Sequence, residues 1–314
     1  MEPRNHPARR VTDEAIAGSL VLAVVLWGAN NTGLKYLVAS WPPVLVGTVR
    51  FGAAGLVLLA ILHGTRWLGE APRLAQREKR LLWWRAGASL AVYIVMFNWA
   101  LRLTTAANVA LYLGVSPLVC LLVDTRPARD WPTLKRYLGA ILALAGVAVL
   151  FWPALRLDPQ RWLGELLAFV SSLVWAYHSF QCRRLTATLS GVAVTAHTMW
   201  RAGVLLAPFA LYEALTHPIP LRGDLCLIQL YCILGGGVAA FGLWNTALRY
   251  WPTSQVFLFI NLSPLSTMAW AHYCLGEKVS PTYFQAMTLI IGGVLLAELN
   301  FGQEAAELKN PPEL

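Results

Sequence analysis

Asn98 to Leu118 reads NWALRLTTAANVALYLGVSPL, and Asn245 to Leu265 reads NTALRYWPTSQVFLFINLSPL. The two stretches lie 147 positions apart, and the alignment runs on without a gap. Leu142, Gly146 and Val147 fall on Leu289, Gly293 and Val294, giving 12 identities over the 50 positions from 98 to 147. Apolar composition alone supplies Leu and Val matches. It does not supply Asn-x-Ala-Leu-Arg and Ser-Pro-Leu in one register. The chain is therefore an internal duplication.

Outward from this pair, the composition fixes the solvent. Of the 314 residues, 57% are hydrophobic and 13% charged, about half the usual charged share of a soluble domain, and the mean hydropathy is +0.54. That excludes a soluble α/β enzyme and a disordered chain. The five cysteines have no CxxC spacing, so neither a disulfide framework nor a zinc ribbon is expected. The net charge of +9 comes from basic residues dispersed between apolar runs, which reads as membrane topology and not as nucleic-acid binding.

A hydrocarbon core about 30 Å thick takes roughly 20 apolar residues of helix. Ten such stretches are expected, at about 14–39, 42–63, 82–103, 105–123, 134–152, 162–181, 192–214, 226–248, 254–275 and 281–300. Arg9 and Arg10 precede the first as they would a signal peptide, but its length and the lack of a small-residue cleavage site predict a retained helix. Of the 25 Lys and Arg, 17 fall in the tails and even-to-odd loops and six on the other side. Arg50 and Arg201 lie inside spans. Positive loops resist translocation, so both termini are predicted to be cytoplasmic, with tails 1–13 and 301–314.

The earlier helices match more weakly. At a shift of 148, Trp27 and Lys35 meet Trp175 and Arg183, and His178 takes the place of Asn30; at 151, Arg50 meets Arg201. Units 14–152 and 162–300 would each hold five helices, and an odd number inserts the second copy upside down. The predicted fold class is an all-α polytopic membrane protein of ten transmembrane helices in a 5+5 inverted repeat, the symmetry of alternating-access transporters.

The same residues resemble a family. Leu26-Trp27-Gly28 with Lys35, Arg50-Phe51, the two Ser-Pro-Leu segments, and Leu275-Gly276-Glu277 followed by Gly292-Gly293-Val294-Leu295-Leu296 are similar to the signatures of EamA-type proteins of the drug/metabolite transporter superfamily. The resemblance covers about residues 14–300. It implies a ten-helix carrier with a cavity between its halves and peripheral fifth and tenth helices. One departure is that Ala128-Arg129-Asp130 stands where the second half has Leu275-Gly276-Glu277.

Ionisable groups inside a membrane normally face a cavity or a partner. Arg50 lies about eight residues into the second helix, roughly 12 Å deep, and Arg201 sits similarly in the seventh. Each reads as a guanidinium for a carboxylate or phosphate, or as a brace for neighbouring spans. Asn30 and Asn31 offer amides suited to a zwitterion or polyol, with interhelical glue as the other reading. Asn98 and Asn245 are the duplicated amides, as consistent with shared packing as with binding. His178 could touch substrate, carry a proton, or be a satisfied core histidine. Trp27 and Trp175 could stack on a substrate or simply pack. Pro117 and Pro264 should bend or break the fourth and ninth helices, and Gly235-Gly236-Gly237 permits close approach or local deformation.

All 16 Asp and Glu lie in tails, in loops or within a few residues of a helix end. No carboxylate is expected at mid-membrane, which disfavours cation/proton exchange and predicts transport independent of a proton gradient. No HExxH, Gly-Asp protease pair or Walker A loop occurs, so neither a cofactor, a metal nor catalysis is expected. The expected function is secondary transport of a small zwitterionic or anionic metabolite, amino-acid export first, across the bacterial inner membrane. The alternatives are a sugar-phosphate or nucleotide-type exchanger and, in another class, a membrane-embedded enzyme or lipid-handling protein. Expected partners are the metabolite and membrane lipids; a homodimer stays open.

Overall fold

A computed structural model describes residues 12–65, 71–116, 118–119, 131–157, 159–247, 250–251, 256 and 259–298. Among these, the regular structure is helical. The helices are α1 (Asp13–Ser40), α2 (Pro43–Gly64), α3 (Gln76–Leu103), α4 (Ala106–Leu113), α5 (Trp131–Leu157), α6 (Pro159–Leu185), α7 (Gly191–Thr216), α8 (Gly223–Ala247), α9 (Ser263–Leu275) and α10 (Pro281–Glu298).

Local sequence sets their ends. Thr12 Oγ1 accepts from Ala15 N at the start of α1, with Asp13 and Glu14 in the first turn, where acidic groups complement the helix dipole. Ser190 and Thr105 cap α7 and α4 in the same way. Pro43 opens α2 at a position whose missing N–H costs nothing. Gly276 ends α9 at φ 67°, a left-handed conformation that glycine takes without strain.

Among the described residues, five helices are long and apolar enough to cross a membrane: Asp13–Ser40, Pro43–Gly64, Gln76–Leu103, Thr133–Pro153 and Gly223–Ala247. The expectation of ten goes beyond what these criteria return. The reason is partly physical. The 13 residues of α9 span only about 20 Å, and α6 and α7 carry polar side chains that lower their hydropathy.

The interior is largely apolar, but the exterior is apolar too, unlike that of a soluble globule. Leu56, Ile141, Phe209, Tyr212 and Leu227 point outward, while Asn30, Asn98, Thr198 and Thr267 are enclosed. Lipid accepts the apolar exterior; the amides and hydroxyls need partners inside.

The main packing pairs are α2 with α7, α3 with α6, α1 with α8 and α9, α4 with α6 and α9, and α5 with α10. The α2–α7 pair is antiparallel, since Leu45 N at the start of α2 donates to Glu213 Oε2 near the end of α7 (2.9 Å). These two helices cross at glycines. A Cβ on Gly203 would come within 2.7 Å of Gly52 Cα, so the backbones touch with no side chain between them.

Two helices contain wide π turns, Leu82–Gly87 in α3 and Cys232–Ala239 in α8. A π turn shifts the backbone register and releases carbonyls to other donors. Gly235, Gly236 and Gly237 all fall in the second of these.

Candidate functional site

Arg50 projects from α2 toward the wide turn of α8 and is 5% exposed. Its Nε donates to the Cys232 carbonyl (3.4 Å), one that the wide turn leaves accessible, and its guanidinium carbon lies 4.4 Å from the Phe51 ring centroid. Tyr93 of α3 and Tyr231 of α8 are close enough to feel its charge. Its two terminal nitrogens make no hydrogen bond to the described residues. A guanidinium so enclosed, with both terminal nitrogens free, can bind an anion bidentately.

Asn30 of α1 packs on the same wide turn. A Cβ on Gly236 would overlap its Oδ1, so only glycine admits the amide there. Asn30 is 1% exposed, and Oδ1 is buried without a partner. That is an unpaired acceptor beside the region that Arg50 reaches. Trp27 closes the adjoining face, donating from Nε1 to Gly236 O (3.1 Å) and packing against Phe241 and Trp244 at 5.1 Å. Asn31 turns away and donates to Thr267 Oγ1 of α9 (3.2 Å).

The second-half counterparts gather at the other wide turn. Arg201 Nη1 donates to His197 Nδ1 (3.0 Å) and His197 O (2.9 Å), and the guanidinium lies over Trp200 and Trp83. His197 Nδ1 also accepts from Trp200 Nε1 (3.3 Å). A ring nitrogen accepting twice carries no proton, so His197 is neutral. Arg201 is thus more engaged than Arg50, although its Nε is buried and unpaired. His178 Nδ1 lies 3.0 Å from Ala86 O and 3.2 Å from Ser89 Oγ, and Trp175 stacks obliquely on Tyr93 and His178.

Asn98 and Asn245 do not join either group. Each donates to the carbonyl four residues back, Ile94 O (2.9 Å) and Phe241 O (2.8 Å), and each faces a glycine of another helix, Gly47 or Gly191. Pro264 occupies the first turn of α9, where a 3-10 turn (Phe259–Leu262) becomes α-helix; its carbonyl accepts from Tyr283 Oη (3.1 Å). Pro117 lies outside the described residues.

One acid near a helix end is more enclosed than its position in the sequence implies. Glu165, in the second turn of α6, is 0% exposed. Its Oε1 accepts from Thr104 Oγ1 (2.5 Å) and Asn108 Nδ2 (2.7 Å), while Oε2 has no partner. Glu165 does lie within a few residues of a helix end, as expected, but the α3–α4 turn folds over that end and encloses the carboxylate. Sequence reasoning also missed Glu277, whose carboxylate accepts from Ala106 N (3.0 Å) and Ala107 N (3.4 Å) at the start of α4, and Lys35, which donates to Leu101 O and Thr104 O (both 2.7 Å). The one signal was that both belong to the quoted signatures. Among the described residues no group of three or more His, Cys, Asp or Glu side chains could hold a metal.

The EamA-like transporter family matches residues 16–152 and again 162–299. An inner membrane transporter, YedA, of Escherichia coli (strain K12), itself uncharacterized, is 26% identical over 286 residues, covering 90% of each chain. A probable amino-acid metabolite efflux pump of Salmonella typhimurium (strain LT2) is 23% identical, covering 90% of this chain and 94% of that one. A solved crystal structure aligns with a TM-score of 0.60 at 21% identity, over 92% of this chain and 99% of that one; this speaks to the fold alone. Matched twice along its length, the chain belongs to the EamA-like transporter family, and it is a membrane transporter and not an enzyme.

Proposed function

We propose that this transporter moves a small zwitterionic or anionic metabolite, an amino acid before others, across the bacterial inner membrane by alternating access of two inverted five-helix halves. The observation that carries the substrate class is the pairing at the α8 wide turn. Arg50 offers two free guanidinium nitrogens, and Asn30 offers a buried, unpaired carbonyl oxygen. A carboxylate satisfies the first and an ammonium the second. The name of the Salmonella relative points the same way.

The packing supports the inverted repeat. Adding five to each helix number turns α3–α6 into α8–α1 and α1–α9 into α6–α4, while α2–α7, α4–α9 and α5–α10 map onto themselves. The two wide turns begin at Leu82 and Cys232, 150 positions apart, and each abuts the arginine of the other half. Cytoplasmic termini follow from the distribution of Lys and Arg.

Thermal unfolding of the purified protein with a panel of amino acids, their decarboxylated amines and sugar phosphates tests this reading, because any ligand of the native state stabilises it by mass action. At least one amino acid should raise the melting temperature and its amine should not. Stabilisation by sugar phosphates alone would replace the reading with an exchanger of phosphorylated substrates.

A further inference from the structure

Glu165 is used by nothing described so far. It lies in the second matched stretch, and its neighbours Thr104, Asn108 and Tyr112 lie in the first, so the group sits on the contact between the two halves. The Tyr112 hydroxyl is beside the carboxylate and interacts with it, but outside the geometry of a well-formed hydrogen bond. Both Glu165 Oε2 and Tyr112 Oη are buried and unpaired, and both residues are 0% exposed.

Among the described residues no cation is paired with Glu165: Arg161, one turn earlier on α6, is exposed and acts on it only at a distance. Lys35 of α1 is committed to the Leu101 and Thr104 carbonyls, and Glu277 is committed to the α4 amides. Among the described residues no charged side chain of α5 or α7 acts on it. An ionised carboxylate so enclosed, without an ion-pair partner, is costly. A metal cation would need more oxygens than the two left free here, since hard cations take six or more. A proton needs only one. On Oε2 it removes the charge and makes that oxygen a donor to Tyr112 Oη.

We propose that Glu165 is a proton-exchange site of the transport cycle. It takes a proton from water as the α3–α4 turn closes over α6 and returns it to water when that contact opens. This rests on the chain's transporter role and on no particular substrate. Glutamine is a neutral isostere that keeps an acceptor for Thr104 and Asn108, so Glu165→Gln should fold and mimic the protonated, closed form.

The test begins with the proton alone. Infrared spectra of the purified full chain, recorded against pH without substrate, should show a neutral-carboxyl carbonyl band that Glu165→Gln lacks. The melting temperature of the wild type should fall as pH rises, because a folded state holding the extra proton loses stability when that proton is withdrawn; in Glu165→Gln this fall should be absent. In proteoliposomes, an imposed pH gradient should drive uptake of a radiolabelled amino-acid mixture by the wild type and not by Glu165→Gln. Identical bands and identical pH profiles in both proteins would overturn the proposal, even if an amino acid still stabilises them. If the mixture is not transported, the substrate reading fails while the infrared band still decides Glu165. Should Glu165→Gln not fold, Tyr112→Phe replaces it: it deletes the hydroxyl partner and should shift the pH at which the band disappears. A band unmoved in Tyr112→Phe would refute the assigned site.

Discussion

Arg50 and Arg201 are equivalent in the duplicated sequence but differ in what they hold. Arg201 Nη1 is bound twice to His197 and its guanidinium lies over Trp200, with Trp83 set edge-to-face beside it; Arg50 makes one long bond through Nε. Arg201→Lys should therefore lower the melting temperature, because lysine cannot reproduce the planar stacking. Arg50→Lys should stay folded and lose about 10- to 100-fold in affinity for the stabilising amino acid, the worth of a charge-assisted bond. Melting temperature and affinity measured on one preparation separate the two. The reverse pattern would move the binding role to Arg201. The sequence marked both positions through the 151-residue shift, yet it could not tell them apart. Their difference comes from Trp83 and Cys232, which are contributed by helices remote in sequence.

At the level of the helices, the apolar stretches and the duplication were legible because hydropathy and register are local properties. The wide turns were only half legible. Gly235-Gly236-Gly237 hinted at a deformation in α8, but Leu82–Gly87 reads as ordinary helix, and the residues it meets, His178 and Arg201, are remote in sequence. Glu165 was hidden for the same kind of reason: its burial is made by a turn 61 residues away. The α2–α7 crossing gives a sharper test. A Cβ on Gly52 would meet Gly203 Cα at 3.7 Å, an ordinary contact, whereas one on Gly203 would meet Gly52 Cα at 2.7 Å. Gly52→Ala should be near neutral, and Gly203→Ala should destabilise by about 1–3 kcal/mol, as overpacking typically does. Equal losses in thermal unfolding would mean that the two backbones do not touch as described.

For the molecule as a whole, the orientation can be checked directly. In a background lacking the exposed Cys226 and Cys274, single cysteines at Arg73 and Lys309 should be labelled from the cytoplasmic side, and those at Arg222 and Lys278 from the opposite side. Labelling of Arg73 and Arg222 from one face would reverse the assignment of α3 through α8. The glycine crossing of α2 and α7 also sets the mechanics of any rocking between the halves. It acts as a bare pivot, and each arginine stands two residues from it, a lever arm of about 3 Å. Glu213, ten residues beyond Gly203, has an arm of about 15 Å. A relative rotation of about 10° would carry the arginines roughly 0.5 Å and Glu213 roughly 2.6 Å, from the same helical rise. That sweep is enough to part the 2.9 Å bond from Leu45 N to Glu213. The ends would swing open like shears while the rivet, and whatever the arginines grip beside it, hardly moves.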